Sequence, residues 1–284
     1  MLMRDLHATP VGKALWHIER RYGDDVSLDD VARAAGISRF HLSRAFVAAT
    51  GYPVLRYVRG RRLTDAARAL AEGAPDIMAL ALDAGYNSHE AFTRAFRDLF
   101  GVTPESVRAE RRVDHLSLVE PLRMDKPANI TLPPPTVIEK PTMLLAGLSV
   151  RYNCDDKAGI PSQWQRFSPH IGHITGQIGN TTYGVVFNTD EDGNMDYMCA
   201  VPVSSFSDLP DGFSSLRVPG SRYAVFTHRG HISTIAVTLE AIWNSAIPSS
   251  GLEPSDAPLL EVYDDRFDPV AGTGEVEICI AIRE

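Results

Sequence analysis

Residues 37–46 read ISRFHLSRAF. Set on a helix at 100° per residue, Leu42, Ala45, Phe46 and Ala49 fall in one apolar stripe, while Phe40, Ser43, Arg44 and Val47 fall near the opposite side. Arg39 and His41 lie on the flanks. A large ring and a planar cation are thus turned away from the helix's own core. In the major groove of DNA this is sensible chemistry: Arg44 pairs with guanine through two hydrogen bonds, Ser43 donates or accepts, and Phe40 lies against thymine methyls. The plainer alternative is that Phe40 contacts a neighbouring domain and Arg44 is solvated.

The flanking sequence decides between them. Thr9-Pro10 is a cap followed by a first-turn proline, and Val11, Leu15, Ile18 and Tyr22 then recur at helical spacing until Gly23. A second helix opens at SLDD, with Ser27 as cap and Asp30 three residues on, and runs to Ala35 before Gly36. Two short helices about a glycine, the second starting at Ser38, are the sequence form of a helix-turn-helix. The pattern then returns: AAGISRFHLSRAFVAATGYP (34–53) is matched by DAGYNSHEAFTRAFRDLFGVTP (83–104). Between the copies a connecting helix turns Leu55, Val58, Leu63, Ala66, Ala67 and Leu70 inward. In the second copy Phe92, Ala95, Phe96 and Leu99 form the inward stripe, and Glu90, Thr93, Arg94 and Arg97 point out. Glu90 either accepts from cytosine N4 or favours its own helix N-terminus while repelling phosphate. Arg56, Arg59, Arg61 and Arg62, near the start of the connecting helix, are placed to bind phosphates, or to pair with Asp65 or Asp29.

The 284 residues leave room for two domains, with 44% hydrophobic and 23% charged residues in the globular range. The net charge of -8 argues against a chain that coats nucleic acid or anionic membrane indiscriminately. The charge is uneven: residues 1–115 carry 17 Lys+Arg against 15 Asp+Glu, and 116–284 carry 11 against 21. Sixteen of those first 17 cations are arginine, which suits phosphate and guanine. Cys154, Cys199 and Cys279 are widely separated with no CxxC, so neither a disulfide framework nor a zinc site is indicated. MLMRDLHATP lacks the apolar run of a signal peptide and no stretch is apolar enough to span a bilayer. These readings predict a soluble, cytoplasmic protein.

From about 114 to 136 the composition changes, and NITLPPPT (129–136) reads as a stiff extended linker. Beyond it the period shifts towards two. TMLLAGLSVRY, TTYGVVF, MDYMCAVPV, SRYAVFTHRG, PLLEVYD and EVEICIAI read as strands, and IPSQWQRFSPHIGHITG and ISTIAVTLEAIWNSA as helices. The order strand, helix, strand, strand occurs twice. Alternation puts Glu261 and Tyr263 on one strand face and Leu260 and Val262 on the other. Such a carboxylate is either ordinary solvated sheet surface, or the charge of a groove in which Tyr263, Trp164 and Trp243 supply flat walls for a cationic or aromatic ligand.

Residues 13–112 resemble the DNA-binding domain of AraC/XylS-family regulators, through SLDDVARAAGISRFHLSRAF, GYPVLRYVRGRRLTDAARAL and AGYNSHEAFTRAFRDLFGVTPESVR. The resemblance implies a seven-helix domain whose two reading helices reach successive major-groove segments, ~34 Å apart. It carries over Arg39, Phe40, Ser43 and Arg44, then His89, Glu90, Thr93 and Arg94, as DNA contacts; Glu90 and Ala91 depart from the usual amide and hydroxyl. Residues from about 134 to 284 are similar to GyrI-like small-molecule-binding domains, through SRYAVFTHRG, AIWNSAIPSSGLEPSDAP and LLEVYDDRFDP. That likeness implies two strand-helix-strand-strand units around a pocket with a central glutamate, which maps onto Glu261.

The expectation is therefore an all-α double helix-turn-helix domain (1–113), a linker (114–136) and an α+β domain (137–284), in the Rob-like order of regulators of multidrug or stress response. Double-stranded DNA and a lipophilic or cationic effector are the expected partners, with RNA polymerase a further one and no cofactor. The pairs His170/His173 and His228/His231 lack a third ligand in pattern, so no metal is expected. A hydrolase using Glu261 as general base, and a second domain serving only protein contacts, are the competing readings.

Overall fold

The computed structural model describes residues 9–122, 130–153, 157–190 and 192–283. Residues 1–8, Cys154 and the linker stretch 123–129 lie outside the described residues. The chain divides into two units: residues 1–39 with 52–125, and residues 40–51 with 126–284.

Among the described residues up to 110 there are seven helices, as the resemblance implied. Helix α1 (Pro10–Arg21) starts where the Gly12 amide donates to the Thr9 hydroxyl at 3.0 Å, a cap worth about 1 kcal/mol. Helix α2 (Leu28–Ala35) opens on a reciprocal box between Ser27 and Asp30 and ends at Gly36, whose φ of +75° is open to glycine at little cost. Next come α3 (Arg39–Thr50) and the connecting helix α4 (Val54–Ala71). Helices α5 (Ile77–Asp83), α6 (His89–Phe100) and α7 (Pro104–Glu110) complete the set. In the first unit Leu63, Ala67 and Leu70 of α4 pack with Ile77, Ala81, Phe92 and Phe96, and the Phe92, Phe96 and Phe100 rings follow one another at 5.6 and 4.8 Å.

The start of the expected linker is part of this unit. Val119 and Leu116 are buried, the Val119 amide donates to Thr64 Oγ1 at 3.0 Å and the Leu122 amide to Tyr57 Oη at 2.9 Å. Gly60 makes the approach possible, since a Cβ there would lie 2.8 Å from Val119 Cγ2.

In the second unit, β1 (Thr136–Lys140) and β2 (Met143–Asn153) lead to α8 (Ile160–Phe167), then β3 (Thr182–Phe187), β4 (Asn194–Pro202) and β5 (Ser214–Val218). After β6 (Ser221–His231) come α9 (Ile235–Ala241), one π-helical turn (Ile242–Ala246) and α10 (Ile247–Ser250). Strands β7 (Leu259–Tyr263), β8 (Phe267–Asp268) and β9 (Thr273–Ile282) close the chain. Helix α8 is shorter than the periodicity predicts, giving way to a 3₁₀ turn at Ser168–His170 ahead of Gly172, which sits at φ +86°. Strands β1, β5 and β8 were absent from the sequence reading.

All pairings are antiparallel, in the order β1-β6-β9-β7-β3-β4-β2-β5, with β8 beside β9. The two strand-helix-strand-strand units, β2-α8-β3-β4 and β6-α9-β7-β9, meet at the central β3–β7 pair, where Gly184 faces Glu261. The sheet curls, so that Leu145 of β2 and Val218 of β5 share one cluster with Tyr223 of β6, Leu260 and Cys279. The opposite face is also covered, by Phe167 of α8 against Ala146, Tyr197, Cys199 and Val201. Cys199 and Cys279 are free thiols, both buried. No described helix is long and apolar enough to cross a membrane.

Candidate functional site

Alternation along β7 turns Glu261 and Tyr263 to the same face, as expected, but that face is not solvated: Glu261 is 6% exposed. Its Oε2 accepts from Tyr197 Oη at 2.7 Å and from Tyr263 Oη at 2.9 Å. Trp164 of α8 donates through Nε1 to Tyr197 Oη at 3.1 Å and sets its ring edge-on to Tyr263, centroids 5.1 Å apart. Helix α8 is pinned over the site by buried Gln163, whose Nε2 donates to the carbonyls of Leu148 and Tyr197. Room for the carboxylate comes from Gly184, where a Cβ would overlap Tyr197 Oη and lie 2.5 Å from Glu261 Oε2.

Burial raises the Glu261 pKa above the usual carboxylate range, against the tyrosine hydrogen bonds and the more distant charge of Lys157. Burial, and then the Glu261 charge, push both tyrosines well above their ordinary value, which keeps them as donors. Cys199 is pushed up by the same causes, so it is no ready nucleophile. The arrangement is a desolvated carboxylate held by neutral hydroxyls under an aromatic cover, which favours a cation. A separate open groove of about 530 Å³, lined by residues including Met143, Ile178, Tyr183 and Ser204, holds no ionisable carboxylate or cation.

Tyr197 escaped the sequence reading because MDYMCAVPV reads as a near-continuous apolar strand. Its signal is the hydroxyl two positions before Cys199 on the face turned to Glu261. Trp243, expected as a wall of the groove, packs elsewhere: its ring lies 5.3 Å from that of His41, and its carbonyl is 3.3 Å from His41 Nε2.

That contact involves α3. Leu42, Ala45 and Phe46 are fully buried, as predicted. The opposite side is occupied as well. The Arg44 guanidinium lies 4.5 Å over the Phe40 ring and 5.9 Å from Trp243, and Nη2 donates to the Val186 carbonyl at 3.4 Å. Arg44 as a whole is half-buried, but its Nε is sealed with no partner. Burial lowers its pKa to about 10, partly offset by the Asp256 charge. Phe40 and Ser43 are half-buried and Arg39 is exposed. The features that suit a base edge, a flat ring and a planar cation, suit an indole and a carbonyl equally well.

In α6, Arg94 and Arg97 are exposed. The Thr93 hydroxyl, expected outside, is sealed without a partner. Glu90 bonds its own backbone N–H and the Ser88 side chain, which lowers its pKa and favours the helix-terminus reading over base recognition. His89 Nε2 lies 3.1 Å from Glu105 Oε1. Arg61 and Arg62 do not offer their guanidinium groups to phosphate here. Arg61 is 4% exposed, pairs with Glu19 at 3.1 Å and donates to the Val119 carbonyl; Arg62 donates to the carbonyls of Tyr22 and Asp24 at the end of α1. Carbonyls and a carboxylate inside the unit outcompete solvent for both forks.

Comparison with known proteins identifies both parts of the chain. Residues 133–283 match the GyrI-like small molecule binding domain, and residues 31–110 match a helix-turn-helix domain. Transcriptional regulator Rob of Salmonella typhimurium is 26% identical over 274 residues, which cover 93% of each chain. Multiple antibiotic resistance protein MarA of Escherichia coli is 31% identical over 122 residues, 43% of this chain and 96% of MarA. The solved structure of SAV2435 bound to tetraphenylphosphonium is 20% identical, with a TM-score of 0.45 over 52% of this chain and 93% of that one. The chain belongs to the GyrI-like family and joins that domain to an AraC-type helix-turn-helix domain, the composition of a DNA-binding transcriptional regulator.

Proposed function

We propose that this regulator responds to a lipophilic cation bound at Glu261 and reads DNA chiefly through α3, in a multidrug or stress response. The observation that carries the effector class is the Glu261 carboxylate itself: desolvated, at the centre of the sheet, hydrogen-bonded to neutral hydroxyls and roofed by Trp164 and Tyr263. A ligand's positive charge would replace lost hydration, and its apolar rings would replace the aromatic cover. On the DNA side, Arg39, Phe40, Ser43 and Arg44 read bases, and Arg94 and Arg97 of α6 contact the next groove segment. RNA polymerase is the proposed protein partner. The cluster favours sensing over hydrolysis, because the groups around Glu261 are protonated tyrosines and a suppressed thiol.

Titration calorimetry with tetraphenylphosphonium tests the effector reading. Glu261→Gln is expected to weaken binding at least about tenfold, the scale of 1.4 kcal/mol. Wild-type affinity is expected to fall as pH drops through the raised Glu261 pKa, since only the ionised form attracts the cation. The variant's affinity should stay flat with pH. Equal affinity of the two proteins at every pH would sink the electrostatic role of Glu261.

A further inference from the structure

We propose that the reading face of α3 is held in reserve by Trp243 and the Val186 carbonyl, so that this docked arrangement and DNA compete for the same side chains. The inference rests on α3 being a DNA-reading helix. Arg44 and His41 are the two side chains engaged, and Phe40 is stacked under the Arg44 guanidinium. A guanidinium 4.5 Å from one ring and bonded to a carbonyl is not available to a guanine edge. Reading a base therefore requires the contact to open first. Any free energy that the contact contributes is subtracted from DNA affinity.

The same contact is wired to the effector site. Val186, whose carbonyl receives Arg44, lies on β3 two residues from Gly184, the position that makes room for Glu261. Its cross-strand partner on β4 is Tyr197, the residue that donates to Glu261. Its partner on β7 is Leu259, two residues before Glu261 itself. Trp243 sits in a π-helical turn, a rare geometry frequent at functional positions. A ligand that enters must displace the Trp164, Tyr197 and Tyr263 cover, and Tyr197 is paired across the strands with the residue whose carbonyl holds Arg44. Effector binding thus loosens the dock and raises DNA affinity, and DNA raises effector affinity by the same factor.

The test uses the full chain and a duplex enriched by that chain from a random-sequence pool, read by fluorescence anisotropy. Trp243→Ala is expected to bind the duplex at least about tenfold more tightly than wild type, and tetraphenylphosphonium to narrow the gap by raising wild-type affinity. Equal affinity of the two proteins, with unchanged melting temperatures, overturns the inference while leaving DNA reading intact. Should Trp243→Ala melt early, Asp256→Asn takes its place, because exposed Asp256 offsets the Arg44 charge, with exposed Asp208→Asn as the control for net charge. Tighter binding by Asp256→Asn than by the control supports the dock, and equal binding overturns it. If neither wild type nor variant enriches any sequence, the reading of α3 as a base-reading helix falls and the dock falls with it, while the effector reading keeps its own calorimetric test.

Discussion

Arg44 brings a full charge to a place where one long hydrogen bond and two rings must serve in place of water, and its Nε is given nothing at all. Leaving a buried donor unpaired costs about 1–3 kcal/mol, more when it is charged. A side chain of similar length without the charge would keep the ring contacts and shed that cost. Arg44→Met is therefore expected to raise stability by about 1–2 kcal/mol in thermal or denaturant unfolding while losing recognition of its cognate base pair. A destabilised variant would show that the guanidinium is better satisfied than its geometry indicates. The contrast with Arg61 is instructive. Helical spacing placed Arg44 outward, and proximity to the start of α4 offered Arg61 to phosphate, yet Arg61 is anchored by Glu19, 42 residues away in sequence, and by a carbonyl at Val119. Partners that distant leave no periodic trace, so a helical wheel sorts apolar positions well and cations poorly.

At the level of elements, α1 and α2 were legible because they carry their own boundary chemistry, Thr9 and Ser27 at the starts and Gly36 at an end, and the structure adds Ser88 and Thr103 as the caps that open α6 and α7. The sheet was legible in its long strands and not in β1, β5 and β8, which have five residues or fewer and sit at an edge or beside one partner. Glu261 was found because alternation in LLEVY sets a carboxylate and a ring on one face and the GyrI-like resemblance maps its central glutamate there, whereas Gly184 passed unnoticed because an absent side chain leaves no pattern. Its role makes a sharp expectation for β3. Gly184→Ala would thrust a methyl group against the Tyr197 hydroxyl and the Glu261 carboxylate, both held in packed surroundings. Overpacking of this kind costs about 1–3 kcal/mol. The melting temperature should fall and tetraphenylphosphonium binding should weaken with it; unchanged values of both would mean that β3 can yield at this point.

Across the whole chain, charge asymmetry and the fifty-residue repeat pointed to one half for DNA and another for a different task, and the two matched families lie in that order. What composition did not reveal is that residues 40–51 group with the second unit, although the weighing of Phe40 against a neighbouring surface had posed the question. A helix face built to meet a flat aromatic base carries no label saying which flat aromatic it meets. The second half shows a further economy. TYGVVF and LLEVYD are counterpart strands lying antiparallel at the midline of a doubled sheet, and the third residue of each is directly opposite its counterpart, glycine against glutamate. Had both halves kept an acid there, two anions would share one proton across the axis, as like charges at contact distance must. With one half silent, the duplication yields a single receptor, so titration with a monovalent lipophilic cation should saturate at one equivalent per polypeptide, and two equivalents would reveal a receptor in each half.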